Sequence, residues 1–264
     1  MGVIIGPYVG SGAAAVPTEL VANPTIYLDA ASNLSYPGTG NTWYDLSGNN
    51  LNGTMTNITY SGNSMYFPGN GYIATPHASL VNLGNNFTIF VMAKVASAAG
   101  YHPFFSTYHD YNGSSIWGLA FLSANDTNYN MRNNQLRCYV GSGAWVNRFA
   151  CSNTSTVAAS WKMYAVVCTN FGSNQNYTYY TDGNNAAGFY WWSIGRQSAA
   201  YWFANQNDAI ASCFIGRQYS ATDPGYWNSV SSPMDMGVFM IYKSALTGVQ
   251  IQQNFDYFRG RYGL

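Results

Sequence analysis

Charge is the scarcest property of this 264-residue chain, at 8% of residues, against about 25% in an ordinary globular domain. Ten basic residues balance ten acidic ones, so the basic stripe of a nucleic-acid binder is missing. Glutamate is scarcer still, with Glu19 alone. Glycoside hydrolysis needs two carboxylates flanking the bond, about 5–9.5 Å apart. The aspartates lie mostly in turn sequences such as Asp182-Gly183 and Asp223-Pro224-Gly225. Catalysis by a paired-glutamate mechanism is thereby excluded, and the chain is expected not to be an enzyme.

Other chemistries are missing as well. Cys138, Cys151, Cys168 and Cys213 have no CxxC spacing, so zinc-knuckle and thioredoxin-type motifs are absent. Four free thiols are expected. In a hairpin turning at Ser142, Cys138 faces about position 146, so Cys151 is not its cross-strand partner. His77, His102 and His109 show no zinc-ligand spacing, and His109-Asp110 reads as part of a polar loop. No Gly-x-Ser-x-Gly elbow or phosphate loop occurs. The first eight residues have neither a basic n-region nor a long apolar run, and read as neither a secretory signal nor a membrane span.

What is present is apolar and aromatic. Hydrophobic residues make up 47% and aromatics 17%, which excludes intrinsic disorder. The length suits one large all-β domain. A neutral, charge-poor surface keeps copies apart only weakly, which points to a protein that works inside an assembly. A soluble carbohydrate-binding domain is the alternative. Residues 1–22 are rich in Gly, Ala and Val. Their large apolar side chains, Val3, Ile4, Ile5, Tyr8 and Val16, follow no period. They read as an anchoring arm ordered by a neighbour, or else as a simple disordered tail. Residues 23–264 form the domain.

Within the domain, short Val/Ile/Tyr/Phe/Trp runs alternate with Gly/Asn/Asp/Ser clusters. Strands are expected at 25–29, 64–67 with 72–74 as a pair, 87–95, 135–140, 144–150, 161–169, 176–181, 212–216 and 234–242. The run 87–95 is apolar on both faces, as in a central strand. Thr247-Gly248-Val249-Gln250 is a capping box. Leu246 and Ile251 can form its hydrophobic staple, and Ile251, Phe255 and Phe258 share one helical face. One short helix over 247–258 should close an end of the sandwich. The echo of Ile194-Gly195-Arg196-Gln197 in Ile215-Gly216-Arg217-Gln218 suggests two adjacent strands with equivalent bends.

These landmarks, in order, resemble the concanavalin A-like lectin/glucanase superfamily in its laminin-G-like branch. Thr42-Trp43-Tyr44-Asp45-Leu46-Ser47-Gly48-Asn49 resembles the family's W-x-D-L-S-G-N opening. Phe67-Pro68-Gly69 through Tyr72-Ile73 resembles its F-x-G-x-x-x-Y-I hairpin with one residue fewer before the tyrosine, and Phe87-Thr88-Ile89 fits its F-T-I strand. Trp161 to Val166 matches W-x-x-x-A-V, Tyr180-Thr181-Asp182-Gly183 matches Y-x-D-G, and Ile241 to Thr247 resembles I-Y-x-x-A-L-T. The resemblance spans about residues 25–264. It implies an all-β, two-sheet antiparallel jelly-roll sandwich with one short C-terminal helix, of the kind found in bacteriophage structural proteins.

The resemblance also implies a function class. The expected protein is a virion component, a capsid decoration or tail/fibre protein, whose partners are other virion proteins or its own copies. A glycan-binding module for host-surface attachment is the alternative. Trp191, Trp192, Tyr201, Trp202, Tyr226 and Trp227 are the glycan or interface candidates, since exposed Trp and Tyr stack on sugars and anchor interfaces. No nucleic-acid or membrane partner and no cofactor is expected. Many family members hold calcium at one rim, but the loop carboxylates Asp45, Asp126 and Asp223 do not align with those ligands, so no metal is assigned.

Overall fold

The structure, a computed structural model, describes residues 19–75, 83–97, 101–111, 114–124, 135–142, 146–152, 159–170, 176–185, 189–193, 212–217 and 232–264. It is a sandwich of two antiparallel sheets. Across the eight-stranded sheet the order is Asn184–Asn185 (β14), Asn176–Thr181 (β13), Trp161–Thr169 (β12), Phe87–Val95 (β7), Met234–Tyr242 (β17), Met65–Phe67 (β5) and Thr59–Tyr60 (β4). Ile26–Asp29 (β1) also pairs with β17, beyond the stretch that β5 occupies. Across the nine-stranded sheet the order is Phe189–Ser193 (β15), Val146–Ser152 (β11), Gln135–Ser142 (β10), Ser114–Ala124 (β9), Tyr101–Tyr111 (β8), Ser212–Ile215 (β16), Tyr72–Thr75 (β6), Gly53–Thr56 (β3) and Thr42–Trp43 (β2).

Alternation along the strands divides the apolar residues between two layers. Ile89 and Val91 of β7, Val166 of β12 and Phe239 and Ile241 of β17 point between the sheets. There they meet Trp43, Phe104, Phe105 and Phe121. Phe90 and Met92, Met163 and Ala165, and Val238 and Met240 point the other way. That second face needs a cover, and the helix Gly248–Arg259 (α1) supplies it through Ile251, Phe255 and Phe258, with Leu246 just before the cap. Each large side chain so buried contributes about 1.5–3 kcal/mol. The helix therefore lies on the outer face of the eight-stranded sheet and does not close an end of the sandwich as expected. The capping box itself forms: Thr247 Oγ1 accepts from the Gln250 amide, and Gln250 Oε1 accepts from the Thr247 amide.

Several local expectations change. Strands 65–67 and 72–75 are not a hairpin. Met65–Phe67 pairs with β17 and Tyr72–Thr75 with β3 and β16, so Pro68-Gly69-Asn70-Gly71 carries the chain from one sheet to the other. Of the four-residue echo, residues 194–197 and 218 lie outside the described residues, and Ile215 ends β16. His109 and Asp110 lie within strand β8, opposite Ile116 and Ser115, and not in a loop. The β10–β11 hairpin turns later than Ser142, which pairs with Val146. Cys138 then faces Ala150, one position short of Cys151. Cys138, Cys168 and Cys213 are free and buried.

The ends of the domain are tied in by polar contacts. A bulge at Gly237 falls where β17 changes partner from β5 to β1. A β-carbon there would sit 2.0 Å from the Tyr262 hydroxyl, so only glycine fits. Arg261 Nη1 donates to both Asp29 carboxylate oxygens, at 2.7 and 2.9 Å. Buried Asn254 accepts from the Val21 amide and donates to the Tyr242 hydroxyl, which donates to the Val21 carbonyl. Residues 19–22, the last of the expected arm, are thus fastened to the domain's own helix. Residues 1–18, with Val3, Ile4, Ile5, Tyr8 and Val16, lie outside the described residues.

Candidate functional site

An open groove of about 680 Å³ runs between α1 and the β13–β14 hairpin. Two sequence signals build it. Asp182 and Gly183, at φ 49° and 78°, form the two-residue turn that returns β14 onto β13. Positive φ at both central residues is the type I′ preference for such turns. The Asp182 carboxylate accepts from the Met163 amide and from Lys162 Nζ, which pins the turn to β12. On the other wall, Gly248, Gln252 and Asp256 recur every four residues along α1, with Val249 and Gln253 beside them.

The lining is dense in planar amides: Asn184, Asn185, Gln252 and Gln253, with the Tyr180 ring at one end. Gly183 supplies the positive φ of the turn, and the end of the Gln252 side chain lies against it. A β-carbon there would stand 2.0 Å from Gln252 Oε1. Gln252 Nε2 donates to Asp256 Oδ1 at 3.1 Å, and Arg259 Nε pairs with the same oxygen at 3.0 Å. Gln253 Nε2 donates to the Glu19 carbonyl, so the groove floor also holds the entering chain. Burial pushes the Tyr180 phenol up from its ordinary pKa, so it is a neutral hydrogen-bonding group at physiological pH.

The residues singled out from sequence fall elsewhere. Trp191 and Trp192 sit on β15, at the edge of the nine-stranded sheet, opposite Ala150 and Phe149. Phe189 follows Asn185 by four positions in the chain, so β15 begins within about 14 Å of the groove. Tyr201, Trp202, Tyr226 and Trp227 lie outside the described residues, as do Asp126, Asp223 and His77. Among the described residues, no group of three His, Cys, Asp or Glu could hold a metal ion. Asp45 is occupied structurally. Its oxygens accept from the amides of Tyr27, Ser47 and Leu51 and from the Ser47 hydroxyl. His102 is buried in β8, and desolvation lowers its pKa from 6.5 to about 4.

Sequence reasoning missed the groove itself. Its turn and its helix start were both legible, but nothing local says that they meet.

No protein-family model matches the chain, and no curated protein matches it. Solved structures do. A Trypanosoma rangeli sialidase in complex with sialic acid is 19% identical, with a TM-score of 0.56 over 97% of this chain and 36% of that one. A mutant of that sialidase displaying trans-sialidase activity gives 18% and 0.59, over 95% and 35%. The botulinum neurotoxin type G receptor-binding domain gives 12% and 0.52, over 89% and 51%. The chain therefore spans about a third of the sialidases and half of the toxin domain.

These likenesses establish the β-sandwich fold. They also correct the expectation that the chain is no enzyme, since sialidases contain the same fold. The missing pair of glutamates therefore does not set this fold apart from enzymes. At this identity the likeness is one of fold alone and assigns no catalytic residue.

Proposed function

We propose that this chain is a saccharide-recognition module. The observation that carries the reading is the amide-lined groove between α1 and the β13–β14 hairpin. Hydroxyl groups both donate and accept, and side-chain amides offer two donors and an acceptor in one plane. The largely buried Tyr180 adds a neutral phenol to the lining, and the tryptophan-bearing edge strand β15 follows β14 in the chain. The names of the fold neighbours, a sialidase with sialic acid and a toxin receptor-binding domain, support a recognition role. So does the ordered set of motifs that resembles the laminin-G-like, concanavalin A-like branch.

The test is an array of immobilised glycans probed with the intact chain and with an Asn185→Ala/Gln252→Ala double variant. The reading expects glycan binding that weakens about tenfold or more in the variant. Absence of binding to any glycan, or equal binding by the variant, would overturn it.

A second reading is favoured by composition. A chain with 8% charged residues suits life among its own copies or other subunits, as in a virion decoration or tail-fibre protein. Purified particles carrying the chain at fixed stoichiometry would support it; a monomer that never joins particles would not.

A further inference from the structure

We infer that the groove selects uncharged saccharides and turns away acidic ones, and that Asp256 sets this preference; the inference rests on the recognition reading above. Among the described residues lining the groove, Asp256 alone carries a formal charge. That charge is already met: Arg259 Nε lies 3.0 Å from Asp256 Oδ1, and Gln252 Nε2 donates to the same atom. Two cations stand beside the groove and both are held by acids: Arg259 by Asp256, and Lys162 by Asp182 in the turn next to Gly183. The other lining side chains, Tyr180, Asn184, Asn185, Val249, Gln252 and Gln253, are neutral.

A hydroxyl entering this groove exchanges water for amide partners at little cost. A carboxylate gives up stronger hydration and finds no cation among the described lining residues in return. The N-terminal end of α1 reaches the groove at Gly248, about 12 Å along the helix from Asp256. Its partial positive charge suits a hydroxyl oxygen. It does not supply the full counter-charge that a carboxylate needs, and the Thr247 hydroxyl already caps its Gln250 amide. The preference is thus opposite to the sialic acid named with the sialidase neighbours.

The experiment uses the full chain on matched pairs of oligosaccharides, each present in neutral and sialylated form, at low and physiological salt. Neutral forms should bind about fivefold or more tightly than their sialylated partners, a modest ratio because the groove is open to solvent. Asp256→Asn keeps the acceptor for Gln252 and frees Arg259. It should raise binding of the sialylated forms at least threefold, more so at low salt. Arg259→Gln should not. A wild-type preference for sialylated forms overturns the inference, as does an unchanged ratio in Asp256→Asn. The recognition reading survives either result if Asn185→Ala/Gln252→Ala still weakens binding about tenfold or more. Absence of all glycan binding removes both.

Discussion

The contact between Arg261 and Asp29 joins the C-terminal turn to the first strand, and its removal should be felt across the domain. Asp29 is buried, with its side chain 3% exposed, while Arg261 is 31% exposed. Replacing Arg261 by Met keeps the aliphatic stem and removes the charge. Asp29 would keep two donors, the Ala31 amide and the Tyr27 hydroxyl, but lose its only cation among the described residues. Breaking a buried pair from one side costs about 3–5 kcal/mol. The partial exposure of Arg261 and the two surviving donors reduce this to about 2–3 kcal/mol. For a chain of this size that is a fall of about 5–10 °C in Tm. Urea unfolding should show a lower midpoint with an unchanged slope. Asp29→Asn in the same background should recover part of the loss, because a neutral amide no longer needs the cation. A cost below about 0.5 kcal/mol, typical of a surface pair, would refute the reasoning.

Buried His102 has its pKa lowered from 6.5 to about 4, so it favours the folded state only while neutral. The His102 contribution to stability should be constant above pH 6.5 and be lost towards pH 4, by on the order of 3 kcal/mol; His102→Gln should flatten that limb in pH-dependent unfolding. Burial raises the Cys168 thiol to about 12 and the Cys213 thiol further. A raised acid stabilises the fold below its unfolded pKa of 9.0, and that contribution fades as pH rises towards 12. At pH 8, Cys138, Cys168 and Cys213 should resist a thiol reagent in native protein and react fully in denaturant; fast native labelling of all three would contradict their burial. Deleting residues 1–18 should leave Tm nearly unchanged, whereas deleting 1–22 should lower stability by about 2–4 kcal/mol, because Asn254 Oδ1 loses the Val21 amide and the Tyr242 hydroxyl loses the Val21 carbonyl.

Elements with strong local signals were legible in the sequence. Strands 87–95, 161–169 and 234–242 have the expected bounds because each is apolar on both faces and ends at turn residues. The Thr247 capping box sets the helix start for the same local reason. The two-sheet architecture followed from the spacing of the runs. What failed depended on long-range pairing. Residues 65–67 and 72–75 have the pattern of a hairpin, and only β17 on one side and β16 on the other show that they part. The helix was assigned to an end of the sandwich although the double-sided strands already demanded a cover for their second face. His109-Asp110 read as a loop because two polar residues in sequence carry no mark of strand β8.

The groove shows why the site was harder to read than the fold. Aromatics drew attention in the sequence because they carry large burial energies and are conspicuous singly. Asn184, Asn185, Gln252 and Gln253 are common residues in a chain of this composition, and each alone reads as a solvated surface. They become a site only because the Asp182-Gly183 turn and the four-residue row on α1 stand face to face. The approach is set by packing, since Phe255 and Phe258 fix the helix on the sheet and Asp182 fixes the turn on β12. A candidate polar site whose described lining is neutral but for Asp256 leaves no signature in charge, spacing or motif. Its evidence is the coincidence in space of donors and acceptors whose partners inside the chain do not use them all.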